Sequence, residues 1–225
     1  MKKMILGMMA LLLVGCHADE KGAQKKDRDD WPVARGGAGL SGQVGVGLPP
    51  KPDIKWMVQT EGAIVGETVV SKDIVVFGNS AGLLTAVDLK SGKKKWQREF
   101  EQSFEAAPAI FDDTIFIGCE DMKLYALELK TGKDKWSIET DDKITAGVNL
   151  TKSPDGKAYW IVMNGYDGPV HKKKIKSFLR CLDIKTGKTV WSQPDLRGSL
   201  ILSNGKLIIL TGNGSLIVAK ASPEG

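Results

Sequence analysis

The chain has 225 residues, 42% hydrophobic and 26% charged, with a formal net charge of +5. That balance belongs to a globular chain with a sizeable core and excludes a disordered or fibrous one. The basic residues form no stripe interleaved with stacking aromatics, so no nucleic-acid partner is expected.

The first element is a leader. Lys2 and Lys3 precede the apolar run Met4 to Val14, which is shorter than the roughly 20 residues a spanning helix needs. A positive start, a short apolar core and small residues at its end describe an export signal over residues 1–15. Leu13, Val14, Gly15 and Cys16 resemble the bacterial lipobox. The resemblance implies cleavage before Cys16, lipidation of that cysteine, and a protein anchored to the membrane without spanning it. No aspartate follows the cysteine, since His17 stands there, and this leans toward the periplasmic face of the outer membrane, with the inner membrane as the other choice.

Residues 16–52 read as a tether and a Gly/Pro-rich linker. The stretch HADEKGAQKKDRDD at 17–30 has no apolar period. GAGLSG at 37–42 matches G-x-G-x-x-G. A dinucleotide site would need a strand before it and a helix after it, and QVGVGLPPKP follows instead.

From residue 53 the chain is periodic. Trp56, Trp96 and Trp136 are spaced by 40 residues, and Trp136 to Trp191 by 55, a repeat carrying an insertion. VDLKSGKKKW at 87–96 returns as LELKTGKDKW at 127–136 and as LDIKTGKTVW at 182–191. Several short apolar runs per period of about 40 predict the four-stranded blades of a β-propeller. In the second repeat the strands are AAPAIFD, TIFIGC, KLYALEL and a fourth opening at KDKW. Tight hairpins are expected at SKD (71–73), Asp112-Asp113, PDG (154–156) and Asn204-Gly205. The K-[ST]-G turn before each outer strand calls for a left-handed residue at Gly92, Gly132 and Gly187. The acid before it (Asp88, Glu128 or Asp183) is placed to accept from turn amides or the turn hydroxyl. Trp96, Trp136 and Trp191 are expected to fill the widening gap between neighbouring blades. Paired carboxylates at Asp112-Asp113 and Asp141-Asp142 read as turns. Cys119 and Cys181 fall at different repeat positions, so no disulfide is expected. Cys181 replaces Ala86 and Ala126 as a small buried residue.

The third repeat carries the insertion NGYDGPVHKKKIKS at 164–177. Its Lys172, Lys173, Lys174 and Lys176, with His171, form a basic loop. It is either a solvated hairpin tip or a contact for lipid phosphate or an acidic partner. A fourth repeat begins near Leu196, and its third strand, SLIVAK, runs to Lys220. DIKWMVQTE at 53–61 is a lone outer strand. It can either close the last blade or leave an open arc with an unpaired edge that a partner subunit could cover; the open arc is expected, because four blades close only at severe wedge angles.

The repeats, led by YALELKTGKDKW at 125–136, resemble the PQQ-like, quinoprotein-type β-propeller family over about residues 53–221. DWPVARGGAGLSG resembles the W-P-x-x-R-G opening of exported members. With the lipobox, the chain is similar to the BamB family of outer-membrane assembly lipoproteins. This implies an all-β fold of about four four-stranded antiparallel blades, the last incomplete, as an open arc or a fragment of a seven- or eight-bladed ring. It also implies a non-enzymatic scaffold, with envelope proteins such as barrel-assembly components as partners. The alternative is a quinone-dependent dehydrogenase fragment or remnant. Such enzymes carry adjacent cysteines, calcium ligands and a catalytic aspartate, and this chain has no Cys-Cys pair. No catalytic, cofactor or metal residue is therefore expected; His17 and His171 lie far apart. A small-ligand or polysaccharide binder is a third reading without residues of its own.

Overall fold

The computed structural model describes Pro32 and residues 50–51, 53–140, 143–153, 156, 159–167, 176–194, 196, 198–203, 206–211 and 214–220. The leader, Cys16, His17, the 37–42 glycines, Asp141-Asp142, His171, Lys172, Lys173 and Lys174 lie outside the described residues. The described residues form strands, turns and bends, and no helix among them is long and apolar enough to cross a membrane.

Among the described residues, fifteen strands make four antiparallel sheets, each a meander in chain order. Blade 1 holds Val69–Ser71 (β1), Ile74–Gly78 (β2), Leu83–Asp88 (β3) and Lys94–Glu99 (β4). Blade 2 holds Ala109–Phe111 (β5), Thr114–Gly118 (β6), Lys123–Glu128 (β7) and Asp134–Glu139 (β8). Blade 3 holds Asn149–Lys152 (β9), Tyr159–Asp167 (β10), Lys176–Asp183 (β11) and Thr189–Pro194 (β12). The fourth sheet has three strands, Gly198–Ser203 (β13), Lys206–Thr211 (β14) and Leu216–Lys220 (β15). The first strands adjoin one another in the order β1, β5, β9, β13, so the blades fan out from a common axis. The sheets do not close into a ring. The expected open arc of propeller blades, the last incomplete, is the observed fold.

The core is a stack of seams. Leu84 and Ala86 of blade 1 pack with Tyr125 and Leu127 of blade 2. Leu124 and Ala126 of blade 2 pack with Leu182 and Ile184 of blade 3. Leu179 and Cys181 of blade 3 pack with Leu207 and Ile209 of blade 4. The middle strands β2 and β6 are covered on both faces, which is why they read as unbroken apolar runs.

Three details depart from the sequence reading. Residues 53–60 form no strand, although Trp56 and Val58 cover Val75, Phe77 and Val87 of blade 1. The first strands are short, β5 being Ala109–Phe111 rather than the whole of AAPAIFD. Each outer strand bulges: Ala86 faces Trp96 but Val87 faces Lys94, and the same shift recurs at Ala126/Leu127 and Cys181/Leu182. The extra residue raises the local twist and turns the indole toward the next blade.

Candidate functional site

The three repeated phrases become one joint. The indole Nε1 of Trp96 donates to the Leu129 carbonyl at 2.9 Å, and that of Trp136 to Ile184 at 3.3 Å. The ring lies against the glycine of the same turn. A Cβ on Gly132 would stand 2.8 Å from Trp96, and one on Gly187 2.7 Å from Trp136. These glycines have φ of +70° and +69°, so they serve both the left-handed turn and the close approach. Trp56 makes the same joint with blade 1, donating to Leu89 at 2.8 Å and packing on Gly92, whose φ is +68°. The joint lies between blades, and only the constant spacing pointed to it: Trp to glycine is 36 residues at 56–92 and at 96–132. Trp191 differs. Its Nε1 is buried and has no hydrogen-bond partner among the described residues.

The acids before the turns hold them as expected. Asp88 Oδ1 accepts from the Ser91 amide at 3.0 Å and its hydroxyl at 2.8 Å, and Asp183 Oδ1 from those of Thr186 at 2.9 and 2.7 Å. The Thr131 hydroxyl donates to Glu128. The Ser91 hydroxyl, and then Lys95, hold Asp88 down at about 2. Asp112-Asp113 is a two-residue hairpin turn, with Asp112 at φ +51° and Asp113 lowered by a hydrogen bond from Lys72. The SKD turn places Lys72 and Asp73 at φ +51° and +61°, a geometry for which lysine gives no sequence sign.

Two surfaces result from the antiparallel order. The hairpins between first and second strands, and the turns between third and fourth, lie on one face. Hydrogen bonds tie them together, as from Leu89 N to Asp73 O and Leu129 N to Asp113 O. This face shows Lys90, Lys93, Lys130, Lys133, Lys185 and Lys188, all exposed. The other face carries the connections between blades, tied by bonds from Phe104 N to Asn79 O and Glu120 N to Ser103 O. Exposed Glu61, Glu99, Glu101, Glu105 and Glu139 lie there beside exposed Lys143, and Lys123 pairs with Glu139 at 3.9 Å. The insertion extends that face, as β10 and β11 pair outward as far as Asp167 and Lys176. Lys176 thus opens β11, whereas Lys172, Lys173 and Lys174 lie outside the described residues. Pro32 marks a contact with no sequence signal: its carbonyl accepts from Ile110 N at 2.6 Å, on the inner strand of blade 2.

Among the described residues there is no group of three or more His, Cys, Asp or Glu that could hold a metal ion. Cys119 and Cys181 are free and buried, in different blades, and burial pushes both thiols up to about 12. Cys181 pairs with Trp191 as Ala86 does with Trp96 and Ala126 with Trp136, so it is the small buried residue expected there.

A family model described as outer membrane protein assembly factor BamB matches residues 37–165, more than half of the chain. The chain belongs to this PQQ-like repeat propeller family. No curated protein matches it. Among solved structures, BamB from Moraxella catarrhalis is similar at 21% identity and a TM-score of 0.58, covering 74% of this chain and 49% of that one. A quinohemoprotein alcohol dehydrogenase from Comamonas testosteroni is similar at 17% identity and 0.61, covering 76% of this chain and 28% of that one. The computationally designed Ika4 protein is similar at 16% identity and 0.56, covering 76% of this chain and 98% of that one. At these identities the likeness is one of fold. The chain spans about half of the BamB chain and less than a third of the dehydrogenase.

Proposed function

We propose that the chain is a non-enzymatic scaffold that binds protein partners in the bacterial cell envelope, anchored by lipid on Cys16 at the periplasmic face of the outer membrane. Outer-membrane protein assembly is the setting, with barrel-assembly components as the partners. The observation that carries this reading is the division of labour among polar groups. The acids and hydroxyls of the turns hold the turns, and the indoles hold the blades. The connecting face carries the exposed glutamates Glu61, Glu99, Glu101, Glu105 and Glu139, and the described residues include no group of three or more His, Cys, Asp or Glu that could hold a metal ion. A rigid face rich in glutamates suits recognition of a basic protein surface, and such contacts weaken with salt. The family match supports the setting.

The test is capture from detergent-solubilised envelopes with the full chain as bait. Barrel-assembly proteins should be recovered at low salt. Exchange of Glu99, Glu101 and Glu105 for lysine should lower recovery about tenfold or more with an unchanged far-UV spectrum. Recovery that ignores these charges, or repeated failure to recover any envelope protein, counts against the reading. Adding PQQ and calcium should give no dye-linked oxidation of alcohols or sugars, and turnover would replace the scaffold with the dehydrogenase alternative.

A further inference from the structure

We propose that the face of the arc carrying the lysine-rich turns lies on the anionic headgroups of the bilayer that holds the lipid anchor, so that the connecting face points away from the membrane toward protein partners. This rests on the anchoring at Cys16 proposed above and adds an orientation to it.

The turns give three blades the same pair of cations. Gly92 N donates to Asp88 O, Gly132 N to Glu128 O and Gly187 N to Asp183 O, so one closed loop is built three times. Lysines stand two and five places after each acid: Lys90 and Lys93, Lys130 and Lys133, Lys185 and Lys188, all exposed. The blades fan out from a common axis, and the pairs therefore recur along the rim of one face.

The acids of that face are engaged. Asp88 accepts from the Ser91 hydroxyl and pairs with Lys95 at 3.1 Å, while Glu128 and Asp183 accept from the hydroxyls of Thr131 and Thr186. These three sit half-buried at the base of the turns, and the long lysine stems carry their ammonium groups beyond them. Asp73 pairs with Lys90 at 3.3 Å, Asp113 with Lys72 at 3.1 Å and Asp134 with Arg98 at 2.7 Å. Against Asp112, which has no ion pair among the described residues, stand five lysines in the same condition: Lys93, Lys130, Lys133, Lys185 and Lys188. The charge that an approaching surface meets first is positive.

The chemistry of the tips selects the partner. They read KSGK, KTGK and KTGK, with no apolar or aromatic side chain. A protein interface is anchored by such side chains in a desolvated centre. A layer of phosphate headgroups needs neither anchor nor register, and each lysine brought near it strengthens binding about fivefold. The tether permits the contact. Pro32 is held by Ile110 N on the inner strand of blade 2, sixteen residues after Cys16. That is a reach of about 50 Å when extended, against about 20 Å for a six-residue strand. Both faces are within reach of the anchor, and charge decides between them, because the same headgroups repel Glu99, Glu101 and Glu105 on the connecting face.

The lipid-anchored full chain is bound to preformed vesicles of phosphatidylcholine alone, or of equal parts phosphatidylcholine and phosphatidylglycerol. The reaction of each lysine with a water-soluble acylating reagent is read by mass spectrometry. Lys93, Lys130, Lys133, Lys185 and Lys188 should react about fivefold more slowly on the phosphatidylglycerol vesicles. They should recover in about 1 M salt, where screening acts over roughly 3 Å. Lys143, on the connecting face, should react alike on both vesicles. Inorganic phosphate added to phosphatidylcholine vesicles should protect none of them. Combined Lys130→Glu, Lys133→Glu and Lys185→Glu, with an unchanged far-UV spectrum, should release Lys93 and Lys188 from protection. Turn lysines that react alike on both vesicles, protection confined to Lys143 or to Lys176 of the insertion, or equal protection by inorganic phosphate would each overturn the orientation and leave the scaffold reading standing. A chain that fails to sediment with phosphatidylcholine vesicles would overturn the anchoring at Cys16 and this orientation with it.

Discussion

The joint between blades 1 and 2 and the joint between blades 3 and 4 share a backbone plan and differ in their fastenings. In the first, Trp96 donates to Leu129, and Arg98 forks onto Asp134 at 2.7 and 3.0 Å and reaches the Gly132 carbonyl at 3.1 Å. Lys72 joins Asp113 across the hairpin tips at 3.1 Å. In the second, Trp191 packs among Leu179, Cys181 and Leu207, but its Nε1 has no partner among the described residues. The Trp191 indole is therefore seated by apolar contact, whereas the Trp96 indole adds a directed bond to its seat. Stability in such an array is close to a sum of blade and junction terms, so each joint can be weakened separately.

The largest effect should come from filling the space between glycine and indole. Gly132→Val needs a β-branched residue at φ +70° with a Cβ 2.8 Å from Trp96, so about 4 kcal/mol should be lost from that joint. Hydrogen exchange should show β7 and β8 opening first, with blade 4 unchanged. Trp96→Ala should cost about 3 kcal/mol, at the low end for a large truncation because the indole is half-buried. The comparison sharpens with phenylalanine. Trp96→Phe removes a bonded donor and should cost about 1 kcal/mol, whereas Trp191→Phe removes an unpaired buried donor and should be neutral or stabilising. Equal losses at both sites in urea unfolding would erase the distinction.

Much of this joint was legible from spacing alone. The 40-residue step from Trp96 to Trp136 placed the outer strands β4 and β8, and Gly92, Gly132 and Gly187 take the positive φ that their turns demanded. The tryptophan's partner was not legible, because it belongs to the next repeat and only three-dimensional stacking brings the two together. The bulge was equally silent: Lys95 and Lys135 are lysines but Val190 bulges as they do, so no side-chain chemistry marks the place, and what makes them bulge is the twist that aims the residue after them. DIKWMVQTE has the composition of a strand, yet residues 53–60 form none, since a strand is defined by a neighbour and none is beside it among the described residues. The glutamate face was hidden for another reason. Glu61, Glu99 and Glu139 are far apart in sequence and share a surface only because every blade returns to the same side.

A smaller effect separates the joints by charge. Arg98 is one-third exposed and Asp134 about half, so Arg98→Ala should cost about 1 kcal/mol or less, and the difference from wild type should shrink in salt. Ile138 and Gln193 occupy the equivalent places in blades 2 and 3 and give no such fork.

The smallest effect concerns the turns that receive the indoles. Asp88 and Asp183 make the same bonds to their turns, but Lys95 adds an ion pair to Asp88 at 3.1 Å, and Val190 stands at that place in blade 3. The Ser91 hydroxyl first, and Lys95 second, hold the Asp88 carboxyl at about 2 in place of the ordinary 3.8. A carboxylate depressed by folding contributes stability above its unfolded value, and that contribution is lost as pH falls through the folded one. The acid limb of unfolding between about pH 4 and pH 2 should therefore contain a share from this turn. Asp88→Asn removes the titration and should flatten that share, while Lys95→Ala should move it toward higher pH by raising the carboxyl. Both are read from the urea midpoint as a function of pH. An acid limb identical in wild type and Asp88→Asn would mean that the bonds around this carboxylate survive its protonation, and that blade 1 holds Trp56 through Gly92 and the Leu89 carbonyl alone.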